Sequence, residues 1–156
     1  MNAFNELMNT IPDTLYREIV RAFSSLGEQC VKRIRDRAGD ESWYDHTSNL
    51  RSSIGYAVYE QGKVLIESAF EQVGNGTEGG EKGRKLIEEL SSKYSQTYAL
   101  VVVAGMDYAE YVEAMNNKDV LASTELWAKN EINGYLEKAK EKASIKIFQL
   151  QHQLGL

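Results

Sequence analysis

The C-terminal third of the chain carries one continuous apolar stripe. Leu121, Ala128, Ile132, Leu136, Ala139, Ala143, Ile147, Leu150 and Leu154 recur at steps of three, four and seven. Such spacing holds one side of an α-helix. A helix over residues 118–153 spans roughly 54 Å at 1.5 Å per residue. A chain of 156 residues folds as a single domain, 1–156, with a diameter of roughly 40 Å. A straight helix therefore overhangs its own domain. Either it breaks at Asn133-Gly134, where glycine weakens a helix most, or its stripe meets a partner surface. The second outcome is expected here.

Composition narrows the function classes. Hydrophobic residues make up 42% and charged residues 26% of the chain, values of a folded globular domain and not of a disordered one. The net charge of −5 argues against non-specific nucleic-acid binding, which needs a basic face. Cys30 has no cysteine partner, and His46 and His152 are far apart. Neither a disulfide nor a structural metal is expected, and no cofactor motif is found. The longest apolar run, Ala99 to Ala104, is far short of the ~20 residues of a membrane helix. Residues 1–10 show no basic region followed by an apolar one. A reducing, cytoplasm-like compartment is the expectation.

The rest of the chain reads as alternating element types. Pro12 opens a helix over 13–38, with Leu15, Ile19, Phe23, Leu26, Cys30 and Ile34 on one face. Residues 53–71 read as a hairpin around Glu60-Gln61-Gly62-Lys63. Residues 74–83 hold Gly74, Gly76, Gly79, Gly80 and Gly83 and read as a flexible loop. A second helix follows over 82–95, then strands over 98–113. The fold class is α+β. A small, mostly antiparallel sheet, the hairpin plus one or two further strands, packs against an N-terminal, a middle and a long C-terminal helix.

Catalytic patterns are weak. Gly74-Asn75-Gly76-Thr77-Glu78-Gly79 fits G-x-G-x-x-G, but the strand before it belongs to a hairpin, and Glu78 and Glu81 would face a pyrophosphate. Asp45-His46 lies near Ser48, Ser52 and Ser53, without the spacing of a nucleophile, base and orienting group. Cys30, on an apolar helix face, reads as a small buried hydrophobe. The nine tyrosines suit interfaces or half-buried sheet positions equally.

Two segments carry a family likeness. They are Tyr44-Asp45-His46-Thr47-Ser48-Asn49-Leu50-Arg51-Ser52-Ser53-Ile54-Gly55 and Met106-Asp107-Tyr108-Ala109-Glu110-Tyr111-Val112-Glu113. In this order, joined by a hairpin and a helix, they resemble the tail-completion (head–tail connector) proteins of tailed bacteriophages with long non-contractile tails. Ser48 stands where that family commonly has glycine, and Ala114-Met115-Asn116 replaces its usual aromatic-Gly-Thr step. The resemblance implies a non-enzymatic, phage- or prophage-encoded virion protein. It would work in the particle, and in the bacterial cytoplasm during assembly. It would form a homo-oligomeric ring between the capsid connector and the tail, with other connector and tail proteins as partners. Asn49, Leu50, Arg51, Tyr108, Tyr111 and Glu113 would shape the sheet edge and subunit contacts, with Arg51 pairing with Glu113 or a neighbouring carboxylate. Two other classes compete. One is a small cytoplasmic α+β enzyme or ligand-binding domain using the glycine loop and Asp45-His46. The other is a coiled-coil adaptor built on the last helix.

Overall fold

A computed structural model describes residues 2–37, 47–109 and 120–156. The elements are α1 (Ala3–Asp36), the single turn α2 (Asn49–Ser52), β1 (Ile54–Glu60), β2 (Lys63–Glu67), α3 (Gly79–Leu90), β3 (Tyr98–Ala104) and α4 (Ala122–Gln153). The α+β class and the element order agree with the sequence reading.

The sheet is antiparallel throughout, in the order β2-β1-β3. Tyr56 pairs with Val102 and Val58 with Leu100 across β1 and β3. The hairpin turn places Gln61 at φ 48° and Gly62 at φ 81°, the left-handed pair that a two-residue turn requires. Central β1 is buried from Ile54 to Tyr59. Its alternation splits the core in two. Ile54, Tyr56 and Val58 join Val31 and Ile34 of α1 on one face. Ala57 and Tyr59 join Ile87 of α3 and Val101 and Val103 of β3 on the other. The unbroken apolar run of β3 follows from this, because an edge strand covered on both faces needs apolar residues on both.

Four boundaries differ from the sequence reading. α1 begins at Ala3, not at 13, and Pro12 lies inside it. Asn2 is the true cap, its side chain accepting from the Asn5 amide at 2.8 Å, as capping asparagines do. The strand region ends at Ala104, and Ala109 already lies in a helical turn. Residues 110–113 of that expectation lie outside the described residues. The flexible loop over 74–83 is shorter than expected, since Gly79, Gly80 and Gly83 belong to α3. The last helix, read as 118–153, is described as α4 from Ala122 and runs through Asn133-Gly134 to Gln153 without a break.

α4 finds its neighbour within the chain. It lies antiparallel along α1, with the Arg37 guanidinium donating to the Val120 carbonyl at 2.9 Å at one end. Further along, Lys146 pairs with Glu18. α1 has 34 residues and α4 has 32, so a helix too long for the sheet is matched by one equally long. The expectation of a kinked helix or an external partner for the stripe is corrected accordingly. No described helix is long and apolar enough to cross a membrane.

Candidate functional site

Of the six residues singled out, Asn49, Leu50 and Arg51 sit together on α2. Tyr108 is exposed after β3, while Tyr111 and Glu113 lie outside the described residues, as do Asp45 and His46. The proposed Arg51–Glu113 pair therefore has only its first half in view, and Arg51 makes no ion pair among the described residues. Leu50 is 1% exposed and belongs to the core beside Ile54. It is a packing residue, not a contact residue.

α2 is held by the glycine segment. Asn49 Oδ1 accepts from the Glu78 amide at 3.0 Å, and Ser52 Oγ accepts from the Val73 amide at 2.8 Å. A Cβ on Gly76 would lie 2.2 Å from the Ser48 carbonyl oxygen, and one on Gly79 2.1 Å from that of Asn49. On Gly83 it would meet the Phe70 ring at 2.2 Å. These glycines are there for close approach, and that is why the loop read over 74–83 stops at Glu78, with α3 beginning at Gly79. The same packing answers the G-x-G-x-x-G pattern: Gly76 and Gly79 turn toward the α2 backbone, where a pyrophosphate would have to lie. Ser48, at φ 61°, holds a left-handed conformation that glycine adopts without strain.

A second feature is the helical overhang. Tyr16 of α1 meets the end of the sheet, its hydroxyl donating to Glu60 Oε2 at 2.8 Å and its ring set edge-on to Tyr98. Residues 3–15 carry the helix roughly 20 Å further. Phe4, Met8 and Leu15 share one side of that stretch and are exposed, Phe4 to 59%. Near the Glu18–Lys146 pair, Ile145 and Phe148 of α4 are exposed, Phe148 to 68%. Large apolar side chains left in water on a projecting element mark association surfaces.

Third, an apolar cleft of about 460 Å³ lies between α1, β3 and α4, lined by Phe23, Leu26, Cys30, Leu100, Thr124 and Ile132 among others. Burial pushes the Cys30 thiol up to about 11, so the thiolate needed for nucleophilic attack is scarce at neutral pH. Thr124 Oγ1 is buried without a hydrogen-bond partner among the described residues. Among the described residues no three His, Cys, Asp or Glu side chains gather as a metal set.

Sequence reasoning missed Glu18, which is 3% exposed and paired with Lys146 and Arg21 between the two long helices. Leu7, Glu18 and Ala22 share a second buried side of α1, but a side built from small and polar residues gives no hydrophobic signal.

No family model, curated protein or solved structure matches the chain.

Proposed function

We propose that this protein is a non-enzymatic assembly subunit that forms a ring joining a phage capsid connector to the tail. The observation that carries the reading is the exposed apolar surface of the long helices: Phe4, Met8 and Leu15 on the overhang of α1, and Ile145 and Phe148 on α4. A subunit with that surface lowers its free energy by burying it against neighbours, at roughly 25 cal/mol per Å² of apolar area. Two further points support the reading. Ser48 takes the left-handed conformation at the position where the resembling family has glycine. Tyr108 is exposed and Arg51 half-buried, beside Leu50, which is packed inside.

In this reading the partners are further copies of the chain and other connector and tail proteins, and the place of action is the particle and the host cytoplasm. Sedimentation of the purified chain over a hundredfold concentration range tests it. Mass should rise above that of one chain, and Phe4→Ser/Phe148→Ser should return it toward the monomer with the circular dichroism spectrum retained. Arg51→Ala should weaken association without unfolding the chain. A single-chain mass at every concentration, alone and with a connector partner, contradicts the reading.

A further inference from the structure

The molecule is layered, and its two outer layers present patches of opposite charge. On the α1–α4 side a groove of about 620 Å³ is lined by Glu18, Arg21, Tyr135, Lys138, Lys142 and Lys146, among others. Four cations surround one carboxylate, leaving the groove at about +3 in a chain whose total is −5. Lys146 and Arg21 already hold Glu18. Lys138 and Lys142 are exposed and make no ion pair among the described residues. They stand one turn apart on α4, with Lys146 a turn further. On α1 the groove residues Glu18, Arg21 and Ser25 lie roughly 150° around the helix from the sheet-facing Phe23, Leu26 and Ile34. The groove therefore faces away from the sheet.

α3 covers the opposite face of the sheet through Ile87. Its outer side carries Glu81, Glu88 and Glu89, with Glu78 at its start and Lys85 among them, all exposed. That patch sums to about −3. None of these glutamates pairs with a cation among the described residues, although Lys82 and Arg84 of the same helix are taken by Asp107 and Glu67.

We infer that the basic groove of one copy receives the acidic outer face of α3 from the next copy. The patches are opposite in sign and similar in size, and the two surfaces lie on opposite sides of one molecule. They cannot satisfy each other within a chain, yet they can do so head to tail. A head-to-tail contact between unlike surfaces is the heterologous kind, which forms a ring where the rotation between copies closes and an open filament where it does not. The buried Glu18 at the floor of the groove disfavours a phosphate backbone as the occupant. Exposed pairs of this sort set orientation and encounter rate more than affinity. They act beside the apolar overhang, and the inference rests on the assembly reading above.

Charge reversal tests it. K138E/K142E in the groove and E81K/E88K on α3 change exposed side chains only. Each should weaken self-association at least tenfold in sedimentation, and an equimolar mixture of the two should regain it, because each reversed surface then meets its complement. Association of the wild type should also weaken as salt rises from 50 to 500 mM. Wild-type assembly that neither reversal alters overturns the inference while leaving the assembly reading intact. A wild type that is monomeric throughout removes both. Duplex DNA retained by the wild type and released by K138E/K142E, with assembly unchanged, overturns it in favour of a nucleic-acid groove. The milder Lys138→Gln and Glu88→Gln keep the test decisive if a double reversal unfolds the chain; they should each weaken association by a smaller factor, and no change with either overturns the inference.

Discussion

At the scale of single residues, buried polarity is the informative feature. Glu18 is held below the usual carboxylate range first by its hydrogen bond from Lys146, with the nearby charges of Arg21 and Lys142 assisting against the opposing cost of burial. A carboxylate lowered on folding adds stability that is complete above its ordinary value of 4.5 and is lost as the pH falls through the lower folded value. Thermal melts from pH 7 to pH 2.5 should show this acid limb, and Glu18→Gln should flatten it. Thr124 is the opposite case. Among the described residues its buried hydroxyl has no partner, so Thr124→Val should raise stability by about 1 kcal/mol in urea titration. Gly79 leaves no room at all: the Cβ of Gly79→Ala would fall 2.1 Å from the Asn49 carbonyl oxygen and should cost about 2–3 kcal/mol in the same measurement. These three positions were not legible in sequence. A glutamate in a helix reads as solvent-facing, and a glycine gives the same letter whether it is free or pressed against backbone.

At the scale of elements, what could be read depended on whether an element buries apolar bulk. The stripe Phe23, Leu26, Cys30 and Ile34 marked the side of α1 that meets the sheet, and the hairpin and β3 were evident from their β-branched residues. Leu15 was assigned to the same stripe, yet it is exposed, because the sheet ends near Tyr16. Pro12 misled the start of α1: a proline near an N-terminus suggests the first turn, while Asn2 supplies the actual cap. Gly134 misled in the other direction. Its cost to α4, about 1 kcal/mol, is offset by the seam to α1, where Ala139 and Ala143 are buried. An added Cβ at Gly134 meets nothing within 4 Å, so Gly134→Ala should stabilise the chain by about 0.5–1 kcal/mol in thermal or urea unfolding.

At the scale of the whole molecule, three layers stand in sequence: the α1–α4 pair, the sheet, and α3. The helix pair outruns the sheet and leaves aromatic and aliphatic side chains in water, and the two outer layers present patches of opposite charge. In the proposed ring, a subunit repeated around an axis would use both, one for affinity and one for direction. The long C-terminal stripe was visible in sequence and its neighbour was not, because the matching side of α1 is made of Leu7, Glu18 and Ala22 instead of a hydrophobic run. The most direct test is negative-stain electron microscopy of the purified chain at high concentration. Closed annuli of uniform diameter are expected, and only isolated single-chain particles or open, unlimited filaments would contradict the ring.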